Sequence, residues 1–211
     1  PLRALTGFLE SLVRLLNLPL TIPDYSTFSR RAAGLTVWIG RLAKQPPRHV
    51  VIDSTGLKVY GEGEWKVRQH GTSQRRTWRK LHLAVDAETH EVIAAELTAA
   101  FVGDAEVLPD LLDQLPTEES LGTVAADGAY DTYACHHALR EHQARVLIPP
   151  RAGAVAWPPL AENQPHPRTT LLETIRQHGR KAWKQQSGYH RRSLAETAMF
   201  RLKTLFGSGL K

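Results

Sequence analysis

One cysteine in 211 residues, Cys135, excludes an internal disulfide framework and any all-cysteine metal site. That fits a reducing cytosol. No run approaches the roughly 18 consecutive apolar residues of a membrane span, and Pro1-Leu2-Arg3 opens neither a signal peptide nor a native start with Met. The ends are expected to be those of a piece of a longer chain. There is no internal repeat and no low-complexity tract, which argues against a solenoid or an array. At 42% hydrophobic residues the chain is not disordered as its main state, and at about 100–200 residues per domain it holds one full domain and part of another.

What is there is a segregated charge. The formal net charge is +6, but residues 1–52 carry +5, 53–82 carry +4, 83–167 carry −11 and 168–211 carry +8. Two basic blocks around an acidic middle point to a polyanion partner, most simply nucleic acid, bound through phosphate neutralisation and counterion release. A solubilising surface is the alternative.

Residues 1–47 read as a helical segment. Leu5, Phe8, Leu9, Leu12, Leu15 and Leu16 make one apolar face, Pro19 and Pro23 end it, and a capped second helix starts near Ser26, runs toward Lys44 and stops before Pro46-Pro47. From residue 48 the pattern changes to strands. His49-Val50-Val51-Ile52 is a short apolar strand ending in Asp53, and Lys80 to Val85 with Glu91 to Leu97 form an antiparallel hairpin. Gly103-Asp104 caps a helix carrying Leu108, Leu111, Leu112 and Leu115. Val124 to Ala126 is a strand ending at Asp127, Thr132 to Glu141 a helix, and Val146 to Ile148 a strand. The predicted order is β-β-β-α-β-α-β followed by a terminal helix, a mixed α/β domain over 48–211. Six prolines mark 149–170 as a loop or small insertion, and helical patterns resume near Leu171 and from Tyr189 to about Leu205.

Two strands end in an aspartate, Asp53 and Asp127, each followed closely by glycine. Strand ends are where α/β sheets build sites, although such an aspartate also serves as a turn residue or cap. At about 100° per residue, Tyr189, Arg192, Glu196 and Lys203 share a stripe roughly 60° wide, with Leu194, Ala198, Leu202 and Leu205 opposite. A solvent-exposed Arg192–Glu196 pair is the plain reading of that stripe.

The spacing Tyr189-x2-Arg192-x3-Glu196-x6-Lys203, with Asp53 in Val-Ile-Asp-Ser-Thr-Gly-Leu-Lys and Asp127 in Ala-Asp-Gly-Ala-Tyr-Asp, resembles the signature of DDE transposases from bacterial insertion sequences of the families four and five group. The likeness spans most of the chain. It implies an RNase H-like fold, two Mg²⁺ or Mn²⁺ ions on Asp53, Asp127 and Glu196, and cleavage and strand transfer of double-stranded DNA at terminal inverted repeats and target sites. A homodimer or larger synaptic assembly and a bacterial cytoplasmic, nucleoid-associated location follow from the same resemblance. Arg192 and Lys203 would contact phosphates beside the metals, and Tyr189 would stack on or hydrogen-bond to the strand. Elementary chemistry agrees with the carboxylate set, because hard cations want oxygen ligands and a metal pair stabilises both oxygens of an in-line phosphoryl displacement.

Arg75, Arg76, Arg79 and Lys80, interleaved with tryptophans, read as a DNA-gripping connection, and Arg180, Lys181 and Lys184 as a second contact beside the signature helix. Asp131 is a helix cap or a spare ligand. Cys135, His136, His137 and His142 do not complete a zinc set. Two rival functions stay open: a structure-selective nuclease on the same fold, and a transposase remnant that binds DNA without cutting it.

Overall fold

The computed structural model describes residues 2–32, 34, 48–59, 78–115 and 120–207, and the backbone of 209–210. These fall into two compact units. The first contains α1 (Leu2–Leu15) and α2 (Tyr25–Ala32), joined where the Arg3 guanidinium lies 4.6 Å over the Tyr25 ring and donates to its hydroxyl at 3.0 Å. Neither helix buries a residue, and Phe8 and Leu15 of the predicted apolar face are exposed. The stretch of the second predicted helix beyond Gly34 lies outside the described residues.

The second unit is built on a mixed sheet of order β3-β2-β1-β4-β5. β1 (Arg48–Val59) pairs antiparallel with β2 (Trp78–Asp86), which turns back into β3 (Val92–Ala99). The turn is closed by Asp86, whose carboxylate accepts from the backbone N–H groups of Glu88 and Thr89. After a 3₁₀ turn at Asp104–Glu106, α3 (Leu108–Asp113) packs on the sheet, and β4 (Leu121–Ala125) returns parallel to β1. A 3₁₀ turn (Gly128–Tyr130), α4 (Tyr133–Glu141) and the parallel strand β5 (Arg145–Leu147) follow. The chain then runs through the proline-rich segment into α5 (Pro167–His178), α6 (Arg180–Ser187), a 3₁₀ turn (Tyr189–Arg192) and α7 (Ser193–Phe206). Gly209–Leu210, β6, lies parallel to the end of β1. The predicted β-β-β-α-β-α-β order and the mixed α/β class are those of the structure.

Alternation along the strands sends buried side chains into two cores, one on each face of the sheet. Val50, Ile52, Ala84 and Val124 meet Leu108, Leu111, Leu112 and Leu139 on one face. Val51, Leu83, Val85 and Ala125 meet Trp183, Ala195 and Met199 on the other. α7 therefore lies on the face to which Val51 points. Its buried side is Ala195, Ala198 and Met199 with Leu202 partly buried, while Leu205 is exposed, a rotation from the predicted apolar side.

Two further expectations are corrected. β1 does not stop at Ile52: its pairing with β2 continues to Lys58↔Trp78, so Asp53 lies inside a twelve-residue strand. Gly56 lies in the same strand. It sits under Trp78, where an added Cβ would come within 3.2 Å of the indole ring. The signature residues also do not share one α-helix, since Tyr189 to Arg192 form a 3₁₀ turn that leads into α7.

Candidate active site

The site begins where the sheet opens. β1 pairs with β4 only as far as Val51↔Ala125, so Asp53 is two residues past the last parallel partner and, among the described strands, keeps only β2 as a neighbour. Strand alternation points Asp53 and Thr55 to the α7 face and Ser54 to the opposite one. Beyond β4, Asp127 accepts from the Ala129 N–H at 2.8 Å and thereby caps the 3₁₀ turn. Its carboxylate is committed on one oxygen to local structure.

α7 crosses this opening with its polar edge toward β1. Arg192 donates from Nη1 to Asp53 Oδ2 at 2.6 Å and from Nη2 to Glu196, and Lys203 Nζ donates to Thr55 Oγ1 at 2.6 Å. The Arg192–Glu196 pair of the plain sequence reading is therefore present, but it is also tied to the first aspartate, 139 residues away in sequence. Asp53 is partly buried, and burial pushes its carboxyl up from the ordinary value. The nearby Asp127 charge adds to this, while the Ser54 N–H and Arg192 oppose it. Asp53 thus sits in a field that an added cation would relieve.

Tyr189 is 7% exposed, its ring 5.2 Å from that of Trp183, and its hydroxyl donates to the Ala126 carbonyl at 3.2 Å. The residue expected against DNA is instead a core tie between the signature turn and the residue before Asp127. Lys184 covers the same ring at 5.3 Å. Arg180 donates to the Pro150 carbonyl at 2.6 Å, and Lys181 and Arg79 are exposed. Lys80 is engaged by Asp104 at 3.1 Å and by the Val102 carbonyl at 2.8 Å, which is an internal role. Arg75 and Arg76 lie outside the described residues.

Asp131 does not cap α4, and its carboxylate is taken up by internal partners. Thr132 caps α4 by accepting from the Cys135 N–H, while Asp131 is clasped by Arg168 through Nε at 2.6 Å and Nη2 at 2.8 Å, by His136 at 3.2 Å and by the Arg151 N–H. Arg168 also stacks 4.1 Å over Trp157. Burial works to raise the Asp131 carboxyl, but these hydrogen bonds outweigh it and hold the group well below its ordinary value. Cys135, which donates to the Ala105 carbonyl, and His136 are consumed in the core, which leaves no zinc set there.

The donor chemistry fits divalent magnesium or manganese: carboxylate oxygens, a first aspartate whose charge is opposed by a second, and a guanidinium between the first aspartate and the glutamate in the place of positive charge. Among the described residues no three such side chains are gathered as a ready cluster. Glu196 is half-exposed and turned to Arg192.

A family model described as the transposase DDE domain matches residues 44–211, and a second of the same description matches residues 1–62. The chain belongs to the DDE transposases. The long match contains the whole sheet together with Asp53, Asp127 and Glu196. Membership in the transposase family implies DNA as the partner, and divalent metals are the usual cofactors of such enzymes. Among the described residues no helix is long and apolar enough to cross a membrane.

Proposed function

We propose that this DDE transposase is the catalytic core of an insertion-sequence enzyme of the families four and five group, cutting element ends and joining them to target DNA. Asp53, Asp127 and Glu196 would hold two Mg²⁺ or Mn²⁺ ions. The observation that carries this is the Arg192 guanidinium between Asp53 and Glu196. It brings the first and third carboxylates to one place, from a strand and a helix far apart in sequence, beside the charge of Asp127. The sheet order, with three antiparallel strands followed by two parallel ones, supports an RNase H-like fold.

The metal pair supplies charge for the attacking and leaving oxygens of an in-line displacement, so one site serves both hydrolysis and strand transfer. The protein's own part is placement. The continuous pairing of β1 with β2 fixes Asp53, the capped turn fixes Asp127, and Tyr189 ties the signature turn to the end of β4. Arg192, at the end of the 3₁₀ turn, and Lys203, on α7, are in position to exchange their internal partners for DNA phosphates, because both side chains stay partly accessible. Arg79, Arg180, Lys181 and Lys184 are assigned as further DNA contacts, and Arg75 and Arg76 are assigned the same role from the sequence alone. We assign residues 1–47 to an accessory DNA-binding segment and 48–211 to the catalytic domain, acting as a homodimer or larger assembly because two ends must meet.

The test is cleavage of DNA carrying the element's own ends with Mg²⁺ or Mn²⁺. Asp53→Ala, Asp127→Ala and Glu196→Ala should each reduce cleavage to background while DNA affinity is largely kept. Near-wild-type cutting by any of the three removes that residue from the site.

A further inference from the structure

On the sheet face opposite α7, directly behind Asp53, lies a second polar group that the signature does not contain. Ser54 Oγ donates to Asp104 Oδ1 at 2.8 Å, and the same carboxylate receives Lys80 Nζ at 3.1 Å. His82, paired with Ser54 across the β1–β2 ladder and fully buried, has its Nδ1 3.7 Å from Asp104 Oδ1. The 3₁₀ turn that ends in Tyr130 packs against the turn that carries Asp104. Tyr130 is fully buried, and among the described residues its hydroxyl has no hydrogen-bond partner. Asp104 comes from the turn after β3 and reaches the signature only through Ser54, the residue next to Asp53.

Ser54 links the two faces. Its backbone N–H donates to Asp53 Oδ1 at 2.9 Å, and its side chain is held by Asp104. This matters at this point of β1 because the strand has just lost β4 as a neighbour and, among the described strands, has β2 alone beside it. We propose that Asp104, anchored by Lys80, is a positioning residue that braces Ser54 and through it fixes the Asp53 carboxylate for divalent-metal binding. Lys80 then belongs to the brace and not to the DNA surface. The proposal rests on Asp53 being a metal ligand, and the experiment separates the two ideas. Outer partners that orient a metal-binding side chain typically account for about 10–100-fold in metal affinity or activity.

The measurement is Mn²⁺ binding to the whole chain, followed by the electron paramagnetic resonance signal of the free ion, together with duplex affinity over a range of salt. Asp53→Asn should lose the site. Ser54→Ala, Asp104→Ala and Lys80→Met should each weaken Mn²⁺ by on the order of 10-fold, with the salt slope of DNA binding unchanged, and Ser54→Thr should bind as the wild type does. If Asp104→Ala does not fold, Ser54→Ala decides, because it leaves the Asp104–Lys80 pair in place. Wild-type Mn²⁺ affinity in Ser54→Ala, with Asp53→Asn inactive in binding, overturns the brace alone. Undiminished binding in Asp53→Asn overturns the reading of Asp53 beneath it. A shallower salt slope in Lys80→Met at unchanged metal affinity returns Lys80 to the DNA surface.

Discussion

Asp53 and Asp131 each face an arginine from a later part of the chain, and the two pairs are settled in opposite ways. Arg168 grips Asp131 with two nitrogens, both side chains are at most 4% exposed, and every neighbour of the carboxylate is a donor. Arg192 reaches Asp53 with one nitrogen and divides itself with Glu196, both Arg192 and Asp53 stay accessible, and another carboxylate stands nearby. The first pair is a closed knot that pins the proline-rich segment and α5 behind the turn after Asp127. The second holds a charge that is only partly answered. Perturbed carboxylates that remain accessible are where chemistry is found, while fully answered ones serve structure.

The comparison breaks most visibly in stability. Arg168→Met leaves a buried carboxylate without its partner, and removing one member of such a pair costs about 3–5 kcal/mol. With about 2–4 °C per kcal/mol for a domain of this size, Tm should fall by roughly 6–20 °C. Arg192→Met should lower Tm far less. Equal losses in the two variants would mean that Asp53 is as firmly locked as Asp131.

The next effect is in pH. The folded state raises Asp53 above its unfolded value near 3.8, so its ionisation costs stability, and the cost is complete once pH has passed the folded value. Metal-free Asp53→Asn should therefore gain on the wild type as pH rises from about 4 to 7. Asp131 is lowered, so its contribution is whole above pH 3.8 and is lost as pH falls through its folded value. Thermal melts of Asp53→Asn and wild type across that range check the sign. A variant that loses ground toward neutral pH contradicts the poised-charge account.

The smallest effect concerns DNA. Lys203→Ala and Arg192→Ala should each make the salt dependence of end binding shallower by about one phosphate contact, a slope change near 0.9. Arg168→Lys should leave it unchanged, because that arginine is buried. Binding isotherms at several salt concentrations decide it, and unchanged slopes in both the Arg192 and the Lys203 variants would confine these residues to internal pairs.

Much of this architecture is legible in the sequence because it depends on local pattern. Strand alternation, the turn after Asp86 and the spacing of Arg192, Glu196 and Lys203 are properties of neighbouring residues. What local pattern does not carry is the partner across the sheet. Asp131 reads as a cap because Thr132 follows it, yet its real partner is 37 residues on. Lys80 reads as a DNA contact because it ends a basic run, yet Asp104 takes its charge. Asp104 itself reads as a helix start, and no local pattern links it to Ser54, 50 residues back. Tyr189 reads as part of a helical stripe, but Gly188 at φ 75° ends α6 there and starts a 3₁₀ turn that carries the ring into the core. β1 reads as short because its apolar run stops at Ile52. Pairing with β2, which hydrophobicity does not encode, carries it on to Lys58.

The most direct measurement of the contrast is a Mn²⁺ titration read by thermal shift on wild type, Asp53→Asn and Asp131→Asn, each compared with its own metal-free melt. A ligand at 100 times its Kd stabilises the state that binds it by about 2.7 kcal/mol, enough to see in Tm. The account predicts a Mn²⁺-dependent rise in wild type and in Asp131→Asn, and none in Asp53→Asn. A rise of wild-type size in Asp53→Asn, or one abolished by Asp131→Asn, would contradict it.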